Sequence, residues 1–280
     1  MTLLQIVLLA LVQGAAELLP VSSSAHVILA EKWMGLDPSS PQMTFLLVML
    51  HTGTMFAVIA YFWAAWRRAF FSSWAAFRDT AARIALSTAA TGVIGFGILQ
   101  ALKHSLTQGS SSFEIESLFG NTQLIAAALV AAGLLILVSS RASTRASGDL
   151  NLRRAAWIGA VQGLCLPFRG FSRSGATISA GMLLGVGRRQ AEEFSFLLAV
   201  VLTPPVIVRE GWRLMKAQAL SGSADATGLL FLPGIEGMAF SFVAGLLALR
   251  WLSRWLEAGR WYLFGLYCLA ASAIVWTFGS

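Results

Sequence analysis

Residues 12–26 read Val12-Gln13-Gly14-Ala15-Ala16-Glu17-Leu18-Leu19-Pro20-Val21-Ser22-Ser23-Ser24-Ala25-His26. Residues 161–174 read Val161-Gln162-Gly163-Leu164-Cys165-Leu166-Pro167-Phe168-Arg169-Gly170-Phe171-Ser172-Arg173-Ser174. Each stretch interrupts an apolar region, 1–35 or 153–187, with proline and a polar cluster. A helix needs about 20 apolar residues to cross a hydrocarbon core of about 30 Å. Neither half of either region comfortably reaches that length. Irregular backbone at membrane depth is tolerated only where protein buries it or it lines a wet cavity. Both regions are therefore expected to be re-entrant helical hairpins.

The two stretches are also copies. Val12-Gln13-Gly14 recurs as Val161-Gln162-Gly163 at an offset of 149, and Ser22-Ser23-Ser24 as Ser172-Arg173-Ser174 at 150. Phe45-Leu46-Leu47-Val48 recurs as Phe196-Leu197-Leu198-Ala199 at 151. Three matches in order at nearly constant spacing mark an internal repeat. Unbroken apolar runs at 43–65, 84–102, 121–140, 193–210, 229–250 and 260–279 read as six full spans. The expected fold is all-α, a polytopic membrane protein with six spanning helices plus two re-entrant helical hairpins. The first repeat covers 1–140 and the second 141–280, each with one hairpin and three spans, in one membrane domain. An odd number of crossings inverts one repeat relative to the other. The hairpins are then expected to enter from opposite faces, with their tips meeting near the midplane.

Composition supports the membrane class. Charged residues make up 12% of the chain and hydrophobic ones 57%, with a mean hydropathy of +0.72. A soluble domain carries about 25% charged residues, so this chain has too few to coat a water-facing surface. The net charge of +7 would suggest nucleic acid in a soluble protein. Here the cations sit in short loops, where topology control and anionic headgroups explain them, and no nucleic-acid partner is expected. Thirteen Lys and Arg fall on one face and five on the other, which makes the first face cytoplasmic. Both termini and the opening of the first hairpin then lie outside. Trp63, Trp66, Trp251, Trp255 and Trp261 fall near cytoplasmic span ends, as an aromatic belt would. Cys165 and Cys268 lie in apolar runs and read as small buried side chains, without disulfide or zinc spacing. The N-terminal run lacks a basic leader and carries Gln13 and Glu17, so it does not read as a cleaved signal peptide.

Ionisable groups inside membrane segments are costly and mark function by default. The first hairpin holds Gln13, Glu17, Ser22, Ser23, Ser24 and His26; the second holds Ser172, Arg173, Ser174 and Thr177. Gln13 and Glu17 share a helix face, and a new helix is expected after Pro20 with a serine cap. Either Ser22 or Ser23 is then spaced to lie beside His26. Two helix starts aimed at one interior volume make an anion site, which a phosphate fits. Arg173 adds a planar fork suited to phosphate oxygens. Glu17 would repel a phosphate unless it is protonated, holds a divalent cation or faces Arg173, which favours metal-assisted or acid–base chemistry over anion retention. His51 lies mid-span, where a supporting role and a plain interhelical hydrogen bond are both open. His104 reads as interfacial, and Glu192 and Glu193 as helix-start and loop charges.

At these residues the chain resembles the bacterial undecaprenyl-diphosphate phosphatase family, the integral membrane type associated with bacitracin resistance. That family's first motif matches Gln13, Glu17, Pro20, Ser22, Ser23 and His26; its second, Pro-Gly-x-Ser-Arg-Ser-Gly-x-Thr, matches Gly170 through Thr177. Ile178-Ser179-Ala180-Gly181 and Glu193-Phe194-Ser195-Phe196-Leu197-Leu198 are similar too. One departure stands out. Phe168 and Arg169 intervene between Pro167 and Gly170, which lengthens the tip and adds a cation; tuned affinity for the diphosphate, a different substrate choice and a divergent branch are all open.

The resemblance implies hydrolysis of undecaprenyl diphosphate to undecaprenyl phosphate and phosphate, recycling the carrier lipid for cell-wall synthesis. It places the protein in the bacterial inner membrane with the site opening to the periplasmic face. It implies that Ser172, Arg173, Ser174, Thr177, Ser22, Gln13 and Arg169 bind the diphosphate. Glu17 with Gln13 would hold a divalent cation, Mg or Ca, or Glu17 would shuttle a proton. His26 would be general acid or base. Ser23 would be the nucleophile of a covalent route, with direct attack by water as the competitor. The competing reading is a flippase that moves a lipid phosphate without hydrolysis, since inverted repeats with broken hairpins are typical of transporters. A non-catalytic scaffold leaves the polar tips unexplained. Many Gly and Ala residues in the spans leave a homodimer open.

Overall fold

The structure is a computed structural model that describes residues 1–37, 40–106, 122–142, 148–168, 170–221 and 226–278. The described residues form ten α-helices. In chain order these are α1 Leu3–Leu18, α2 Ser23–Trp33, α3 Pro41–Phe70, α4 Trp74–Leu106 and α5 Thr122–Ala142. They continue as α6 Leu152–Cys165, α7 Arg173–Leu183, α8 Arg188–Ser221, α9 Ala226–Glu257 and α10 Tyr262–Phe278. Five of them, α3, α4, α5, α8 and α9, are long and apolar enough to cross a membrane. The protein is a polytopic all-α membrane protein. The run expected as a sixth span, 260–279, forms the 17-residue α10, which at 1.5 Å per residue is about 26 Å long.

Both interrupted regions are broken helices. Leu19 is extended at φ −73°, ψ 150°, as a residue before proline prefers, and α2 does not begin until Ser23. The second break runs from Leu166 to Ser172, turns through Gly170 at φ +99°, and ends where the Ser172 hydroxyl accepts the Gly175 N–H at 3.2 Å. α1 opens on a capping box between Thr2 and Gln5, and α6 on the Asn151 side chain, which accepts the Arg154 N–H.

The chain divides into two compact units assembled from separate segments. The first comprises Met1–Leu19, Ser23–Trp63 and Ala199–Leu252. Its apolar centre joins Ile6, Leu9 and Ala10 of α1 to Val27 of α2 and Met43, Leu46 and Leu50 of α3. Lipid tails are as apolar as these side chains, so close contact between small residues must supply the association energy. α9 accordingly meets α1 at Gly14, where an added methyl would sit 2.5 Å from the Ala244 Cβ. The Ser241 hydroxyl donates to the Leu50 carbonyl at 2.8 Å, tying α9 to α3.

The second unit comprises Pro20–Ser22, Ala64–Leu198 and Ser253–Ser280. Here α4 and α6 approach through Ser87, Thr91 and Gly95 on one side and Ala155, Gly159 and Gly163 on the other. The Ser87 hydroxyl donates to the Ala155 carbonyl at 2.7 Å and Thr91 Oγ1 lies 2.8 Å from the Gly159 carbonyl. A methyl on Gly159 would collide with the Ser87 carbonyl. α10 packs on α5 and α5 on α7. Residues 174–182 of α7 are all buried. The indole of Trp261 donates to both the Ser139 and Ser179 hydroxyls, at 3.1 and 3.2 Å.

Two expectations change here. Trp261 and Trp66 are 1% and 4% exposed, so these two are core residues and not part of an aromatic belt; Trp63 and Trp251 are exposed as expected. Glu192 lies at a helix start as expected, but it is buried and not a surface charge. It is 1% exposed at the start of α8, and its carboxylate accepts the Ser253 hydroxyl.

Substituting Gly159 by leucine will force α4 and α6 apart. Overpacking of this kind costs about 1–3 kcal/mol or more, so thermal unfolding in detergent will show a clear loss for G159L. G92L, where an added Cβ meets nothing within 4 Å, will melt like the parent.

Candidate functional site

In the first unit, the helical spacing of α1 stacks Gln13 over Glu17, and the start of α2 returns Ser23 to the same carboxylate. The Ser23 hydroxyl donates to Glu17 Oε2 at 2.6 Å, and the Gln13 amide nitrogen lies 3.4 Å from the same oxygen. Gln13 is buried at 1% exposure. His51 of α3 joins them, with Nε2 3.6 Å from Glu17 Oε2. Its Nδ1–H donates to the Leu47 carbonyl at 2.8 Å, which fixes the ring. His51 therefore belongs with Glu17, a placement that sequence left open. Its signal was an imidazole in mid-span, without anything local to say which helix it faced.

His26 is one turn along α2 from Ser23 and is partly buried. Ser22 precedes the helix and is not one helical turn from His26: at φ 68° it is in the left-handed region. Non-glycine residues there are strained by about 1–3 kcal/mol and cluster at functional positions.

In the second unit, Pro20 packs onto the start of α7. A methyl on Gly175 would lie 3.0 Å from the Pro20 Cβ, 3.1 Å from Ile136 Cδ1 and 3.2 Å from Ser172 Oγ. The Pro20 carbonyl accepts the Cys268 thiol at 3.2 Å, which fastens the same tip to α10. The first interruption and the second helix start thus touch. Ser172 caps α7, its hydroxyl oxygen 3.5 Å from that of Ser174, and both are buried. Arg173 is the first helical residue and is partly buried. The positive end of the α7 dipole, a guanidinium and two serine hydroxyls thus lie within three consecutive residues, a donor set for an oxyanion. Thr177 is 0% exposed, with its hydroxyl on the Arg173 carbonyl at 2.8 Å and beside Ser195 Oγ at 2.6 Å. Ser195 was not singled out from sequence, because a serine on an apolar helix is usually only turned back on its own backbone. Arg169 lies outside the described residues. Among the described residues no group of three His, Cys, Asp or Glu could hold a metal ion.

Residues 6–274 match the family described as bacitracin resistance protein BacA. The chain belongs to that family. It is 63% identical to "Undecaprenyl-diphosphatase 2" of Acinetobacter baylyi, covering 99% of this chain and 98% of that one. It is 36% identical to "Undecaprenyl-diphosphatase" of Anaeromyxobacter sp., over 97% of this chain and 86% of that one. The protein of the same name from Thermus thermophilus is 35% identical, over 95% and 94%.

Within this BacA-family chain, the left-handed Ser22 sets a test of local strain. Glycine adopts that conformation freely and valine is penalised most. S22V will melt below S22G in detergent by an amount on the order of 1–3 kcal/mol. Equal melting of the two would show that the tip is unstrained.

Proposed function

We propose that this protein hydrolyses undecaprenyl diphosphate to undecaprenyl phosphate and phosphate. One observation carries the reading: a serine hydroxyl donating at 2.6 Å to a carboxylate on a broken apolar helix. A structural cap needs no acid there, whereas a nucleophile needs a base within hydrogen-bond reach. The full-length likeness to proteins named undecaprenyl-diphosphatase supports the substrate.

The donors and acceptors present support the following roles. Arg173, Ser172, Ser174 and the start of α7 bind the diphosphate oxygens and take up the charge that builds on them. Ser23 Oγ attacks the terminal phosphorus as its proton passes to Glu17 Oε2. The bond from that phosphorus to the bridging oxygen breaks, and undecaprenyl phosphate leaves. Water then releases phosphate from the serine. Gln13 and His51 hold the Glu17 carboxylate in place, and His26 serves as acid or base for the leaving oxygen and the water. Direct attack by water, with Glu17 as its base, is the alternative route; it leaves no labelled serine.

Glu17 and Gln13 are also the residues that would hold Mg or Ca. One carboxylate cannot cage such an ion, but Mg commonly binds through one or two carboxylates together with substrate phosphates. When bound, the cation would neutralise charge on the diphosphate.

The proposed membrane arrangement is six spans with α1–α2 and α6–α7 as re-entrant hairpins of an inverted repeat, the site opening to the periplasm. The Arg-rich loops support that orientation.

Purified protein in detergent tests the reading. Phosphate release from undecaprenyl diphosphate will fall by about 10²–10⁴-fold in E17A, S23A and R173A, the range for loss of an acid–base or oxyanion group. Chelation will stop turnover and added Mg will restore it. Radiolabelled substrate will leave phosphate on Ser23 after rapid quench. Lipid flipping in liposomes without any phosphate release would overturn the proposal.

A further inference from the structure

A hydroxyl pair ties the start of α7 to α8. Thr177 and Ser195 are both 0% exposed, and their oxygens lie 2.6 Å apart. Thr177 Oγ1 is also 2.8 Å from the Arg173 carbonyl and 3.4 Å from that of Ser174. A hydroxyl carries one proton and can accept two. A carbonyl only accepts, so the Thr177 proton goes to Arg173 and the Ser195 proton to Thr177 Oγ1. A phosphate needs donors, and Thr177 has none left to offer.

Helical hydroxyls commonly turn back to a carbonyl three or four residues earlier, as Thr44, Thr52, Thr203 and Thr277 do. Ser195, like Ser87, Ser241 and Ser272, reaches a different helix. The pair is sealed from water, so removing one partner leaves the other desolvated without compensation.

We propose that Ser195 is a positioning residue for Arg173, acting through Thr177. The Ser195 hydroxyl fixes the Thr177 rotamer, and Thr177 in turn clamps the carbonyl of the first helical residue, which sets the direction of the guanidinium. This rests on the reading above, in which Arg173 grips the diphosphate. Thr177 accordingly acts by holding Arg173 and does not touch the substrate.

The test is steady-state phosphate release from undecaprenyl diphosphate by S195A, T177V and the double variant, with thermal melting of each. S195A will raise KM about tenfold, the scale of one buried hydrogen bond, while kcat changes little. T177V will raise KM at least as much, and the double variant will equal T177V, because the inferred effect of Ser195 passes through Thr177. A packing defect alone would lower the melting point and leave KM unmoved. An unchanged KM in S195A, or additive losses in the double variant, would overturn the inference. Full hydrolysis by R173A would sink the underlying reading instead, whatever Ser195 does.

Discussion

A helix interrupted inside an apolar slab leaves backbone donors and acceptors that lipid cannot satisfy, and sealing those interruptions is the constraint on which the rest of this structure depends. The first interruption is closed at Pro20, whose ring abuts Gly175 and whose carbonyl takes the Cys268 thiol. The second is closed by its own cap at Ser172 and by a glycine turn at positive φ. Proline removes a donor where the break begins, and serine supplies an acceptor where the helix resumes. Ser172 both caps the second break and belongs to the oxyanion donor set proposed above, so at that residue one side chain serves scaffold and proposed site.

The segments around the breaks are held by neutral contacts at short range. Glycine and alanine let α4 approach α6 and let α9 approach α1, and hydroxyls on α4 and α9 then reach carbonyls on the facing helix. The polar hub of Trp261, Ser139 and Ser179 holds α7 against α5. In the absence of a hydrophobic drive between helices, such fits supply both the energy and the register.

Much of this was legible in the residues. Proline and serine clusters within apolar runs located both breaks to within a few positions, because the chemistry that ends and restarts a helix is local. Gln13 and Glu17 were readable as neighbours from their spacing alone. Partnerships across helices were not. Nothing near His51 in the chain points to Glu17, nothing near Ser195 points to Thr177, and nothing near Trp261 reveals that its indole is buried on two serines. The burial of Glu192 was hidden for a related reason: beside Arg188 and Arg189 its place at a helix start was readable, but not that the fold closes over it and supplies Ser253. Local rules read what a segment does to itself, and tertiary packing decides what it does to others.

The hydroxyl-to-carbonyl ties between helices carry no net charge, and this separates two responses to dissolved electrolyte. Counterions screen charges that water can reach and leave buried dipoles largely untouched. Ser87 on Ala155, Ser241 on Leu50 and Ser272 on Ala126 will therefore hold equally well in dilute buffer and in brine. A charged side chain that water can reach has no such immunity. These ties are indifferent to ionic strength, while exposed charge pairs such as Arg83 with Asp79 loosen as monovalent salt is added.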